Sequence, residues 1–163
     1  MTIRAATQAD AAEIAAIWND MIRNTLFTFT TEEKTETGIA AMILDRPGAV
    51  WVAQAEAEAI AGFVTYAQFR SGPGYRTSVE HSIVLGAGAR GQGTGRALMD
   101  KAMASAAGQG HHVMVAGISA ANAGGVAFHT ALGFQHVGRM PEIARKGGQW
   151  LDLILMQKML SAP

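Results

Sequence analysis

The stretch Gly86-Ala87-Gly88-Ala89-Arg90-Gly91-Gln92-Gly93-Thr94-Gly95 stands between a run with strand character and a run with helix character. Glycines let a backbone approach a bound group closely, because no Cβ stands in the way. The first N–H groups of a helix have no partner within it, and the helix dipole adds partial positive charge there. Such a junction attracts anions, phosphates above all. Arg90 and Arg96 would add full charges.

Spacing narrows the possible owners of this loop. A P-loop requires Gly-Lys-Ser/Thr at its end, and the loop has none. Counted from Gly91 or Gly93, a dinucleotide fingerprint, Gly-x-Gly-x-x-Gly, would need glycine at Arg96 or at Leu98. The loop also carries Arg90-x-x-Gly93-x-Gly95, with a plain chain-reversing turn as the alternative that spacing leaves open. Glu80 lies on the apolar run just ahead of the loop. A carboxylate there suits either a general base or an ion pair. An amine attacks an acyl group only as the free base, and an α-amino group is largely protonated at neutral pH.

Metal chemistry finds no footing. The chain has no cysteine, which also excludes disulfides and a thiol nucleophile. His111 and His112 are adjacent on a strand-like segment and would point to opposite faces. The methionines read as core filler. Thirteen basic and thirteen acidic side chains give a formal net charge of zero, which argues against nucleic acid as the main partner. No run approaches the roughly 18 apolar residues that span a membrane. The N-terminus lacks the basic cluster and apolar run of a signal peptide. A cytoplasmic protein is expected.

The elements that must position these residues follow from periodicity. At 163 residues and 49% hydrophobic content, one domain with a sizeable core is expected over 1–163. A short strand is expected over 2–4. Thr7 and Asp10 resemble a capping box before a helix carrying Ile14, Ile17, Trp18, Met21 and Ile22 on one face. A Thr/Phe-rich loop over 24–30 precedes a second helix over 32–44. Paired strands follow over 50–55 and 60–69, with a turn through the Ala/Glu run between them. After Ser71-Gly72-Pro73-Gly74, a strand over 77–85 leads into the glycine loop. Beyond it come a helix over about 97–108, a strand over 113–118, a helix over 126–132, and strands over 134–137 and 150–159. This order fits an α/β sheet with helices on its faces.

The loop Arg90-x-x-Gly93-x-Gly95 resembles the coenzyme A loop of the GNAT N-acetyltransferase superfamily. Asn122, His129 seven residues later, and Gly133-Phe134 resemble that superfamily's second segment. The segments Val79-Glu80-His81-Ser82-Ile83-Val84-Leu85 and His129-Thr130-Ala131-Leu132-Gly133-Phe134 are similar to a subgroup. So are Asn19, Asn24-Thr25 and Trp150-Leu151-Asp152-Leu153-Ile154-Leu155-Met156-Gln157. The subgroup acetylates phosphinothricin, methionine sulfoximine and methionine sulfone. The resemblance covers nearly the whole chain.

It implies a central mixed, mostly antiparallel sheet flanked by helices, and acetyl-CoA as acyl donor. Cofactor contacts would come from the backbone of Ile83, Val84 and Leu85, from Arg90, Gly91, Gln92, Gly93, Thr94, Gly95 and Arg96, and from Asn122. Glu80 would be the base for direct attack by the amine. His129 would either protonate the leaving thiolate or simply bind the cofactor. Arg70, ten residues before Glu80, would pair with a substrate carboxylate. His81 and Ser82 would face the substrate, and Phe27 and Phe29 would line the pocket. Relatives follow the arginine with Pro-Phe, whereas Ser71-Gly72 stand here, so the pocket is expected to be reshaped. A homodimer is implied. The competing readings are another amine (a polyamine, an antibiotic or a peptide N-terminus) and a non-catalytic acyl-CoA-binding module.

Overall fold

The computed structural model describes residues 1–55 and 59–160. A seven-stranded sheet runs in the order β1-β2-β3-β4-β5-β7-β6. Its strands are β1 (Thr2–Ala5), β2 (Val50–Gln54), β3 (Ile60–Gln68), β4 (Ser78–Leu85), β5 (Val113–Ser119), β6 (Gln135–Lys146) and β7 (Gln149–Met159). All neighbours pair antiparallel except β4 and β5, which are parallel. The parallel pair needs a crossover, and α3 (Thr94–Gly108) supplies it.

Two cores lie on opposite faces of the sheet. On one face, α1 (Ala11–Asn24) and α2 (Glu36–Asp45) bury Ile14 and Ile39 against Val52, Phe63 and Val84. On the other, Leu98, Met99, Ala102 and Ala106 of α3 pack on Val64, Val79, Met114 and Met156. Alternation along β4 thus sends Val79, His81, Ile83 and Leu85 toward α3, and Glu80, Ser82 and Val84 toward α1. α4 (Ala123–Ala131) lies on the α3 side, with Phe128 against that core.

Several expectations shift. The second helix starts at Glu36 rather than 32, capped by Thr35, whose Oγ1 accepts from the Gly38 N–H at 3.0 Å. Residues just before it are held extended, because the Asn19 side chain accepts from the Lys34 N–H at 2.7 Å and donates to the Lys34 carbonyl at 2.9 Å. The largest correction is β6, which runs 12 residues rather than ending at 137. Gly138 and Pro141 lie within the strand, and the ladder takes them in with irregularities at His136/Gly138 and Met140/Ala144. Asp152 on β7 holds the second one, accepting from Arg139 and from the Glu142 backbone N–H, at a residue with φ of 52°. The turn expected between β2 and β3 falls on residues 56–58, outside the described residues. Its flanks are joined by the Ala55 N–H donating to the Ala59 carbonyl at 2.9 Å.

Candidate active site

The site begins where two parallel strands part. Pairing between β4 and β5 ends at His81↔Ala116. β4 stays paired to β3 through Leu85, and β5 stays paired to β7 through Ser119. Residues 82–85 and 117–119 therefore diverge and leave a notch whose strand edges are not bonded to each other. A cavity of about 800 Å³ fills it, lined by both strand ends, the glycine loop, the start of α4 and the loop after α1.

Glu80 stands at the root of the notch on the α1 side. Its carboxylate lies over β5 at Gly117, where an added Cβ would sit 2.8 Å from Oε1. Burial raises the Glu80 carboxyl above its ordinary range, and the Arg70 charge partly opposes the rise. Arg70 is exposed, 5.2 Å from the Phe69 ring centroid. Gln68 organises the loop after β3 by donating to the carbonyls of Arg70 and Gly72 at 2.6 and 2.8 Å.

The opposite face carries two histidines. His81 Nδ1 is 2.9 Å from the Val115 carbonyl, and its Nε2 is 2.9 Å from Nε2 of His129. His129 Nδ1 is 2.8 Å from the Gly125 carbonyl. Both rings are buried, packed by Phe134 and, for His129, also by Phe128. Burial pushes His81 down to about 3, with His129 adding to the fall, and burial lowers His129 as well.

Gly91 and Gly93 adopt φ of 75° and 79°, a region that favours glycine, and both are open to solvent on their Cβ side. They turn the chain so that α3 begins with no side-chain cap on its first N–H groups. Arg90 is exposed at the cavity wall. Gly95 lets Phe128 of α4 approach, since a Cβ there would meet the ring at 3.1 Å. Asn122 caps α4, its Oδ1 accepting from the Gly125 N–H at 2.9 Å.

A separate clamp shapes the remaining wall. Lys146, at the end of β6, is buried and donates from Nζ to the carbonyls of Ile22, Thr25 and Thr28 at 2.7, 2.9 and 2.9 Å. It ties the β6–β7 hairpin to the loop that carries Phe27 and Phe29 into the cavity.

Residues 3–155 match the family model described as "Acetyltransferase (GNAT) domain". The chain belongs to the GNAT acetyltransferase family. Its fold is that of an acetyl-CoA-dependent N-acetyltransferase. It is 36% identical over 165 residues to an L-methionine sulfoximine/L-methionine sulfone acetyltransferase of Salmonella typhimurium, covering 98% of this chain and 95% of that one. A crystal structure of a GNAT superfamily phosphinothricin acetyltransferase from Sinorhizobium meliloti, in complex with AcCoA, superposes with a TM-score of 0.92. Identity there is 33%, covering 97% of this chain and 87% of that one. A ribosomal-protein-alanine N-acetyltransferase from Brucella melitensis also superposes with a TM-score of 0.92, at 36% identity, covering 98% of this chain and 99% of that one.

For a GNAT enzyme the geometry fits the donor. The uncapped α3 start, the two left-handed glycines and Arg90 have the chemistry that attracts an anion, and the notch leaves two strand edges unbonded to each other. Of the residues expected to act, His81, Ser82, Ile83, Val84, Leu85, Arg90, Gly91, Gly93, Gly95, Arg96, Asn122 and His129 line the cavity. Glu80, Gln92 and Thr94 do not. The Gln92 amide folds back to the Gly88 carbonyl at 2.9 Å, and the Thr94 hydroxyl is buried against the Met1 sulfur at 3.1 Å. His81 was expected to face the substrate, but strand alternation carries its ring to the α3 side, away from Glu80. Arg70, Ser71 and Gly72 lie outside the cavity wall, on the loop whose charge reaches Glu80.

Gly117, Lys146 and the His81–His129 contact escape a reading of sequence. No local pattern marks a glycine whose emptiness serves a side chain on the neighbouring strand, nor a lysine that acts across the fold. Among the described residues, no group of three His, Cys, Asp or Glu side chains could hold a metal ion, and no helix is long and apolar enough to cross a membrane.

Proposed function

We propose that this enzyme acetylates the amine of a small amino-acid-like substrate, of the methionine sulfoximine, methionine sulfone or phosphinothricin type. The observation that carries this reading is Glu80 at the root of the notch, half-buried, raised in pKa, and under the influence of Arg70. The names of the relatives agree with it.

In this mechanism acetyl-CoA supplies the acetyl group and Glu80 takes the proton from the incoming ammonium, directly or through water. A raised carboxyl is better matched to that task near neutrality than an ordinary one. The freed amine attacks the thioester carbonyl from the α1 side of the sheet. Backbone N–H groups of Ile83 and Leu85, on the edge of β4 that faces away from β3, hold the oxyanion. Arg70 pairs with the substrate carboxylate. The loop 90–96 binds the pyrophosphate through backbone N–H groups and the arginines, with Thr94 contributing main chain only. The Asn122 amide nitrogen is placed for the cofactor's arm, since its oxygen serves as the helix cap. His129 is the candidate donor to the leaving thiolate.

Glu80→Gln tests the base. The kcat is expected to fall on the order of a hundredfold, with coenzyme A affinity kept. The base acts only when ionised, so wild-type activity falls as pH drops through the raised Glu80 pKa, and this limb is absent in the variant. Full activity of Glu80→Gln across a wide pH range would remove Glu80 from the mechanism. The name of the Brucella melitensis neighbour favours a peptide N-terminus as the second acceptor class. A homodimer, built on the exposed β6 edge, is part of the same proposal.

A further inference from the structure

Two carbonyl groups and one short nitrogen–nitrogen contact fix how many protons the two buried histidines carry. A carbonyl oxygen only accepts. His81 Nδ1, 2.9 Å from the Val115 carbonyl, must therefore bear a hydrogen, and so must His129 Nδ1, 2.8 Å from the Gly125 carbonyl. Each neutral imidazole has one N–H, and in both rings it is now spent. Yet the two Nε2 atoms lie 2.9 Å apart, a distance that requires a proton between them. Three ring protons on two imidazoles make one positive charge.

We propose that His81 and His129 share this proton as a buried imidazole–imidazolium pair, and that the pair gives it to the coenzyme A thiolate as the acetyl group leaves. His129 is the donor at the cavity wall. His81 is a positioning residue that fixes the ring and holds the proton with it.

The alternatives are each costly. With no third proton, two lone pairs face each other at 2.9 Å in a buried site. A switched tautomer instead sets a ring lone pair against a carbonyl at 2.8 or 2.9 Å. Burial works in the opposite direction, since it disfavours charge on both rings. The short hydrogen bond outweighs burial and keeps the proton near pH 7, while burial favours its release once an anion forms beside it. Among the described residues neither ring has a carboxylate partner in an ion pair. The neighbours are the Phe128 and Phe134 rings, with Arg96 from α3 and Lys158 from β7 bound to the Ala131 and Leu132 carbonyls at the end of α4. Glu80 points to the other face. The pair is thus a cation without a counter-charge, at the wall of the cavity where acyl transfer generates an anion.

The step balances. The C–S bond breaks with its electron pair on sulfur, and the shared proton moves from Nε2 to sulfur, giving free thiol and a neutral pair. A thiol of ordinary pKa, about 8.5, binds that proton more tightly than the buried pair does. The pair regains its proton from solvent after the thiol departs. The delivery half of the proposal rests on the acetyltransferase reading. The proton count does not.

The test is nitrogen NMR of the wild-type protein labelled at its histidine rings, near pH 7 and without substrate. Three protonated nitrogens in the His81–His129 pair, one of them shared, are the expected result. Two protonated nitrogens overturn the proposal whatever the kinetics show. The second arm is His81→Phe, checked for fold by its far-UV spectrum and coenzyme A binding. Its kcat should fall at least tenfold with the acceptor KM little changed, and the high-pH limb of its rate profile should move. If the count is three but His81→Phe keeps kcat within twofold and an unmoved pH profile, delivery to sulfur is overturned. A chain that acetylated nothing would fail the kinetic arm in wild type and leave the count intact.

Discussion

Glu80 can lie over β5 only because position 117 has no side chain. Gly117→Ala would place a methyl 2.8 Å from Oε1 at the present geometry, so the carboxylate must move. Gly117 is solvent-exposed in an ordinary strand, so the substitution leaves the core intact. We expect kcat/KM to fall on the order of a hundredfold, as misplaced catalytic groups do, with the melting temperature changed little. An unchanged rate would mean that the position of this carboxylate does not govern the chemistry. At this scale the sequence was legible where a role follows from type and local spacing. Arg90, Gly91 and Gly93 were named that way and Asn122 through the family resemblance, and all four line the cavity. It was silent where a role follows from what a neighbouring strand brings alongside. Glu80 could be named from its place ahead of the loop, but the space that receives it could not. The same holds for His81: its ring is turned by alternation toward a partner 48 residues away.

Elements were legible where apolar periodicity was strong, as for α1, α3, β4 and β5. Their boundaries moved where side chains from elsewhere decided them. Asn19 kept residue 34 out of α2, and Asp152 carried β6 through a bulge that local composition argued against. Lys146 is the clearest such case, a buried cation at one end of β6 that closes the C-terminal end of α1 by taking three carbonyls. Lys146→Met would keep much of its volume and leave those carbonyls without their donor. A loss on the order of 3 kcal/mol is expected, by analogy with charge-assisted hydrogen bonds removed from buried groups. Urea denaturation measures it, and the acceptor KM should rise because Phe27 and Phe29 lose their anchor. Wild-type stability in this variant would show that the clamp is replaceable by solvent.

In the proposed reaction the two substrates come from opposite faces of one sheet and meet where β4 and β5 separate. On that proposal, α3 and α4 with the glycine loop serve the donor, while α1, the loop after it and the loop after β3 serve the acceptor. The order of elements made a sheet with helices on its faces readable in advance, and the family resemblance implied its mixed, mostly antiparallel pairing. The separation itself is a matter of register and had no local trace. The β6–β7 hairpin leaves Val137, Met140, Ile143, Trp150 and Met159 exposed at the edge of the sheet. Such an edge is prone to pairing, and light scattering should report a dimer at micromolar concentration. A monomer would oppose the proposed assembly without touching the chemistry.

The central claim concerns the acceptor, and release of free thiol from acetyl-CoA across a panel of amines tests it most directly. The panel holds methionine sulfone, methionine sulfoximine, phosphinothricin, standard amino acids, spermidine and short peptides. Turnover should be highest with the amino-acid-like sulfone, sulfoximine or phosphinate and should fall sharply in Arg70→Gln. Turnover confined to peptides or spermidine, unaffected by loss of Arg70, would contradict the account.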